Sequence, residues 1–296
     1  MLQQIEHLAV IGVGLIGGSV ARSLKRAGYA KRITGIGRNA AHLEQAKALG
    51  VVDDVSTDIA RGVEEADVVL VSVPMSAYGA VLSQLTGHLK PGAVLTDAGS
   101  TKQHAVDAAH HSLTDDELAR FVPAHPIAGT EHSGVEASFA SLFDGRLCVL
   151  TPMTQTDTAA LETARTMWQA TGSRLMQMDA KEHDDFLAAV SHLPHLIAFG
   201  LVNAVRKLGD DNHDPFCFAA GGFRDFTRIA SSSPEMWRDI ALCNREALVE
   251  KLDALEVELN ALRKALEAGD GEALVNDFRA AKEARDAWLA THGEGL

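Results

Sequence analysis

The stretch that decides the fold is His7-Leu8-Ala9-Val10-Ile11-Gly12-Val13-Gly14-Leu15-Ile16-Gly17-Gly18-Ser19-Val20. Leu8 to Ile11 is a short apolar run of the kind that a strand buried on both faces requires. It breaks at Gly12-x-Gly14-x-x-Gly17, and a helical pattern continues through Ser19, Val20, Leu24 and Lys25. In such a strand–turn–helix the first glycine permits the tight turn. The second removes the Cβ that would hold a pyrophosphate off the backbone, and the third lets the helix pack close on the strand. The amides opening the helix then face the phosphates. Gly12, Gly14, Leu15, Ile16 and Gly17 are the expected cradle of a dinucleotide. The glycine pattern alone is common in ordinary loops; its place between a strand and a helix gives it meaning.

The totals narrow what the rest can be. A chain of 296 residues, 46% hydrophobic and 23% charged, can bury the cores of two domains and is not disordered in composition. Its net charge of −13, with no offsetting basic stripe, argues against nucleic acid as a partner and requires any anionic substrate to be held by local cations. Cys148, Cys217 and Cys243 lie far apart without a C-x-x-C, which fits a reducing compartment and neither a disulfide framework nor a zinc knuckle. The N-terminus enters a strand almost at once and carries Glu6, so no signal peptide is expected. No apolar run approaches the ~20 residues of a membrane span. The expectation is a cytoplasmic protein with no membrane partner.

Beyond the first helix, residues 32–37 read as a second strand, and a helix over 40–49 is closed by Gly50. Residues 67–73 form a further buried strand ended by Pro74, a helix spans 77–89, and Pro91-Gly92 turns the chain into a strand at 93–97. A helix over 102–111, a strand at 121–122, a loop over 123–134, a strand at 147–150, a helix near 158–170 and a strand at 174–178 follow. Strands alternating with helices imply a parallel sheet covered on both faces. From Ala180 onward strand signals vanish. Phe186, Val190, Leu193, Ile197 and Leu201 recur at helical spacing. Leu248 opens a longer helix in which Leu252, Leu255, Leu259, Leu262 and Leu266 alternate spacings of three and four. Such a stripe suits a core-facing helix or, preferred here, a homodimer interface. Gly269-Asp270-Gly271 ends it, and Glu272 to Leu289 forms a last amphipathic helix. The predicted fold is α/β: a Rossmann-type parallel-sheet nucleotide-binding domain over 1–178, then an all-α helical dimerisation domain over 179–296.

The end of the second strand, Gly37-Arg38-Asn39, lacks the carboxylate that usually accepts the adenosine ribose of NAD. Arg38 could pair with a 2′-phosphate, or else stack on adenine or point to solvent, so NADP is favoured with NAD as the second choice. Ligands in open α/β sheets bind beyond the carboxyl ends of the strands. Three polar clusters fall there: Ser72-Val73-Pro74, Asp97-Ala98-Gly99-Ser100-Thr101-Lys102, and His125-Pro126-Ile127-Ala128-Gly129-Thr130-Glu131. His125 is the prime candidate proton acceptor, its ordinary pKa being near ~6.5.

These motifs occur together and in order with Ser191-His192-Leu193-Pro194-His195 and Gly222-Phe223-Arg224-Asp225-Phe226-Thr227-Arg228-Ile229-Ala230. On them the chain resembles, over nearly its whole length, the prephenate/arogenate (cyclohexadienyl) dehydrogenase family of tyrosine biosynthesis. The resemblance implies oxidation of a cyclohexadienyl carbinol by hydride transfer to NAD(P)+ as the ring loses carbon dioxide and becomes aromatic. It gives His125 the role of proton acceptor and has Ser100 orient the hydroxyl or the imidazole. Arg228 would hold a substrate carboxylate and His195 would lie at the substrate, helped by Thr130 and Gly221. Asp225 and Trp237, on the same helical segment, would support Arg228 and wall the pocket, and Glu131 would help keep water out. Ending after the helical region, the chain is expected to carry no added regulatory domain. The residues alone leave open that Arg228 pairs with Asp225 on one helix face, and that His192 and His195 only end a helix. A metal site on His183, His192 and His195 is not expected, there being no thiolate or further carboxylate at ligand spacing. Two other functions stay open. One is a different two-domain hydroxyacid or ketoacid oxidoreductase, for which Lys102 is the one candidate catalytic lysine; the other is a nucleotide-sensing protein without turnover.

Overall fold

The computed structural model describes residues 4–130, 132–210 and 213–292. The first strand, β1 (Ile5–Ile11), leads through the glycine turn into α1 (Leu15–Arg26). There follow β2 (Ala30–Ile36), α2 (Ala40–Ala48), β3 (Asp54–Ser56), α3 (Ile59–Val63), β4 (Val68–Val71), α4 (Tyr78–Leu85), β5 (Val94–Asp97), α5 (Lys102–Ser112), α6 (Asp115–Ala119) and β6 (Phe121–Val122). These strands make a six-stranded sheet in the order β3-β2-β1-β4-β5-β6, parallel throughout. The order reverses between β1 and β4, so the crevice for a ligand opens beside the glycine turn.

Alternation along β1 divides the core. Leu8 and Val10 pack on one face with Val20, Leu24, Ile33 and Trp168, while Ala9 and Ile11 pack on the other with Val69, Val71, Tyr78, Leu82 and Phe121. Successive side chains of a strand point to opposite faces, so a continuous apolar run feeds both cores.

The sheet is not one sheet to its end. The strands β7 (Ala124–Pro126), β8 (Leu147–Leu150) and β9 (Arg174–Gln177) form a second, three-stranded sheet. In it β7 runs antiparallel and β9 parallel to β8, with α7 (Thr158–Ala170) between β8 and β9. The expected loop around His125 is therefore a strand, with His125 opposite Val149. Pro123 separates β6 from β7; lacking an N–H it cannot extend the first ladder, and its carbonyl instead accepts from Thr151 N at 2.9 Å. The edge strand β3 lies in a polar segment that gives no strand signal, and the strand expected over 67–73 is shortened to Val68–Val71.

From Ala180 the chain is helical: α8 (Ala180–Leu187), a π turn over Ala188–His192 and α9 (Leu193–Arg206) form one continuous run. This run of 27 residues is long and apolar enough, by length and composition, to cross a membrane. That corrects the expectation that none approaches such a length. Polar residues interrupt the run at His183, Asp184, His192 and His195, of which the first three are buried and all are hydrogen bonded within the protein. Phe186 and Val190 of the expected apolar stripe are exposed. Two shorter helices follow, α10 (Gly221–Thr227) and α11 (Pro234–Cys243).

By compactness the chain divides at Asn244/Arg245. The second unit contains α12 (Arg245–Ala268) and α13 (Gly271–His292). Gly269 turns between them at φ +65°, and the Asp270 carboxylate accepts from Ala273 N at 2.9 Å to start α13.

Candidate active site

The glycine turn has the form a dinucleotide needs. Gly12 sits at φ +94°, and a Cβ there would lie 2.2 Å from the Ser72 carbonyl oxygen. A Cβ on Gly17 would lie 2.2 Å from the Gly12 oxygen. At Gly14 nothing lies within 4 Å of where a Cβ would be. So Gly12 and Gly17 are demanded by the protein's own backbone, whereas the space at Gly14 is open. Gly14 caps α1 without a side-chain hydrogen bond, and the first turn, which includes Leu15 and Ile16, carries no acidic residue. The helix N-terminus is thus left for an anion. Ser72, Val73 and Pro74 follow β4 on the same edge. After β2, Arg38 is exposed and makes no hydrogen bond or ion pair among the described residues, while Asn39 Oδ1 accepts from Ala41 N and His42 N to cap α2.

His125 is held by two sets of contacts. The first fixes the backbone before it. Ala124 N donates to Asp97 Oδ1 at 2.9 Å, and the Ala124 carbonyl accepts from Lys102 Nζ at 2.6 Å. Lys102 and Asp97 form an ion pair of 2.5 Å with both side chains fully buried. Tyr78 Oη and Gly99 N also donate to Asp97 Oδ2, at 2.7 and 2.9 Å. Burial and the neighbouring Asp97 charge push the Tyr78 hydroxyl well above its ordinary pKa, so it remains a donor. Lys102, the candidate lysine of the alternative reading, is a structural pin with its charge turned inward. Ser100, half-buried, lies in the turn that leads through the N-cap Thr101 into α5.

The second set holds the ring. His125 Nδ1 lies 2.8 Å from His183 Nε2, and His183 Nδ1 lies 2.8 Å from Asp184 Oδ1. Asp184 in turn accepts from the first amides of α5, Lys102 N at 2.7 Å and Gln103 N at 2.9 Å. Burial, then the electrostatic influence of the neighbouring His183, Lys102 and His192, holds the His125 pKa well below the ordinary imidazole value. The ring is therefore neutral at pH 7. Its Nε2 makes no hydrogen bond among the described residues and is not enclosed.

The helical segment supplies a second cluster. The His195 ring stacks on Trp237 with centroids 3.5 Å apart and planes at 20°. His192 meets the same indole edge-on at 6.0 Å. His195 Nδ1 donates to the Ser191 carbonyl at 2.9 Å, and burial together with the nearby Arg228 charge lowers its pKa. Asn244 Nδ2 donates to the Asp184 carbonyl at 2.7 Å and contacts His192 Nδ1 at 3.1 Å, joining the two clusters. The indole N–H of Trp237 is buried with no acceptor among the described residues, a donor that a bound anion could satisfy. Ser76 Oγ donates to Asp239 of α11, tying the loop after β4 to the helices.

The π turn accounts for part of this convergence. In an uninterrupted α-helix at 100° per residue, His183 and His195 would be about 120° apart around the axis. One extra residue in a wider turn reduces this to about 20°. Both imidazoles then lie on one side of the helix.

Of the sequence-predicted residues, the structure stacks His195 on Trp237, which reaches the His125 cluster through His192 and Asn244, and sets Arg228 near enough to His195 for its charge to act on that ring. Gly221 and Asp225 are exposed on α10, and the Asp225 carboxylate accepts from Arg224 at 3.2 Å. Asp225 and Trp237, read as one helical segment, stand on separate helices, because Ser232 and Ser233 break the run before Pro234. Thr130 is exposed and its hydroxyl accepts from His132 N. Glu131 lies outside the described residues. Sequence reasoning missed His183 as a partner of His125, together with Asp184 and Asn244. The adjacent His183-Asp184 pair is a usable signal in the sequence, since a carboxylate next to an imidazole can brace it.

Fold and site together place the chain among the nicotinamide-dependent oxidoreductases. Its sequence matches the nucleotide-binding domain of prephenate dehydrogenase over residues 20–177 and the prephenate dehydrogenase dimerization domain over residues 179–280. The cyclohexadienyl dehydrogenase of Zymomonas mobilis is 37% identical to it over 97% of each chain. The prephenate dehydrogenase of Bacillus subtilis is 38% identical over 97% of this chain and 77% of its own length. A solved structure of Aquifex aeolicus prephenate dehydrogenase, in complex with hydroxyphenyl propionate and NAD+, matches with a TM-score of 0.91 at 35% identity, covering 97% of this chain and 99% of that one. The chain belongs to the prephenate dehydrogenase family.

Proposed function

We propose that this protein catalyses the oxidative decarboxylation of prephenate to 4-hydroxyphenylpyruvate, or of arogenate to tyrosine, with NADP+ preferred over NAD+. The observation that carries the reading is His125: a neutral imidazole with Nδ1 engaged and Nε2 open, on the strand β7 that directly follows the last strand of the sheet bearing the glycine turn. The bound nicotinamide supplies the hydride acceptor. His125 Nε2 takes the proton of the ring hydroxyl as the carbinol C–H is oxidised, leaving a dienone. The C–CO2 bond then breaks, its electron pair aromatises the ring, and the phenolate formed recovers a proton from His125. Ser100 orients the hydroxyl or the imidazole. Arg228, the Trp237 indole N–H and His195 recognise the substrate, the guanidinium gripping a carboxylate in a protein that is otherwise acidic. Thr130, Glu131, Gly221 and Asp225 complete this surface in the same reading. The open end of β2, with Arg38 unengaged and no carboxylate, supports NADP+.

Residues 1–178 are the nucleotide-binding domain and 179–296 the helical domain through which two chains pair. The boundary between the two matched family segments and the apolar residues exposed on α12 and α13 support that division. The protein is assigned to the cytoplasm. A lysine-dependent hydroxyacid oxidoreductase is disfavoured by the full burial of Lys102.

The test is kcat/KM for prephenate and arogenate, each with NAD+ and NADP+, read at the reduced-nicotinamide absorbance. His125→Asn should lower kcat by about 10²–10⁴-fold, ~3–5.5 kcal/mol of barrier, with KM little changed. Near-normal turnover in that variant would remove His125 as the base. A higher kcat/KM with NAD+ would overturn the cofactor preference.

A further inference from the structure

We infer that His183, braced by Asp184, is the positioning residue that fixes His125 in the tautomer able to act as a base. The inference rests on the reading of His125 as the proton acceptor and names the group that makes it one.

The assignment follows from counting donors along the chain of contacts. An ionised carboxylate only accepts hydrogen bonds, so the His183 nitrogen facing Asp184 Oδ1 at 2.8 Å, Nδ1, carries the proton. A neutral His183 then presents a lone pair at Nε2. The group 2.8 Å from that lone pair, His125 Nδ1, must be the donor. His125 is left with its lone pair on Nε2, the nitrogen that has no partner among the described residues. Without an acceptor at Nδ1, the imidazole is free to carry its proton on either nitrogen, and the Nε2–H form cannot accept from a hydroxyl. A carboxylate-held imidazole whose tautomer is lost can cost several orders of magnitude in turnover.

Asp184 is suited to bracing a neutral His183 rather than charging it. Its carboxylate already accepts from two amides at the start of α5, where the helix dipole favours negative charge. It therefore does not need an imidazolium as counter-ion, and one here would stand in the same buried cluster as the Lys102 ammonium. Lys102 joins the brace to the clamp on Ala124, since it supplies one of these amides to Asp184 and its ammonium to the Ala124 carbonyl. Ring and backbone of His125 are thus set by one connected group of residues.

The experiment is proton–nitrogen correlation spectroscopy on the full-length protein with nitrogen-15-labelled histidine, combined with kinetics. In the unmodified protein the His125 signals should show a protonated, pyrrole-type Nδ1 and an unprotonated, pyridine-type Nε2. His183→Leu removes the acceptor. It should abolish that pattern and lower kcat by about tenfold to 10²-fold, while the dissociation constant for the nicotinamide nucleotide stays within about twofold. His183→Gln, whose amide oxygen can reach the place of Nε2, should restore the pattern and much of the turnover relative to His183→Leu. An Nε2–H tautomer for His125, or a doubly protonated His183, in the unmodified protein overturns the inference, and does so even if no variant folds. An unchanged pattern in a folded His183→Leu overturns it as well. Because the spectrum does not depend on turnover, the tautomer assignment can fail while His125→Asn still shows the base to be right, and the reverse.

Discussion

At the scale of single residues, the chemistry turns on imidazoles kept neutral. For His125, burial is the largest cause, followed by His183, Lys102 and His192, and all act to lower the pKa. A general base must be unprotonated, so a lowered pKa extends the active range downward. The acid limb of kcat/KM, which reports the free enzyme, should lie below pH 6.5; a midpoint at or above 6.5 would contradict this. His192 carries a consequence for stability. Burial, partly opposed by Asp184, pushes its pKa down to about 4. Above the ordinary value near 6.5 it is neutral folded and unfolded, and nothing is lost. As pH falls from there toward 4, the unfolded chain binds a proton that the folded chain refuses, so stability declines with falling pH. At pH 5 the loss from this one group is about 2 kcal/mol. Urea midpoints at pH 7 and pH 5 should differ by more in the unmodified protein than in His192→Asn.

At the scale of elements, the strand–turn–helix at the N-terminus separates glycines by purpose. Gly17 meets the backbone of Gly12, so Gly17→Ala should destabilise the fold and nucleotide binding together. Gly14 has free space around it and an ordinary negative φ. Gly14→Ala should leave Tm within about 2 °C yet raise the dissociation constant for the dinucleotide about tenfold or more, because only the ligand approaches there. Equal losses of stability in the two variants, read by thermal unfolding beside nucleotide titration, would refute that division. The long helical run makes a comparable point about register. Its π turn re-aims His192 and His195 relative to His183, and a periodicity of 3.6 residues carried through the segment puts them on the wrong faces.

At the scale of the whole molecule, the second compact unit leaves much of its apolar surface uncovered. Val257, Leu259 and Leu266 on α12, with Val275 and Phe278 on α13, are each more than half exposed. Of the leucines at alternating spacings of three and four, Leu252, Leu255 and Leu262 are partly covered and Leu259 and Leu266 are not. The prediction is that a second copy closes this face in an isologous pair. Sedimentation equilibrium at micromolar concentration should give twice the chain mass of 31.5 kDa, and Leu259→Glu combined with Leu266→Glu should shift it toward the monomer. A monomeric unmodified protein would exclude pairing through this face.

The sequence by itself determined the parts whose physics is local. A buried strand, a glycine turn and a helix declare themselves in consecutive residues, since strand period, the need for positive φ at Gly12 and helix periodicity all act over a few positions. His125, Arg228 and His195 are likewise visible as chemical types in motifs, whereas Trp237 enters only through the family resemblance. Only the tertiary structure decided what these groups do to one another. It turned Lys102 inward onto Asp97, split the sheet at Pro123 so that His125 sits on a strand, separated Asp225 from Trp237, and brought His183 and Asp184 behind the candidate base. The clamp on Ala124 and the brace behind His125 depend on contacts between residues tens of positions apart, where burial and charge, rather than any local preference, decide which groups meet.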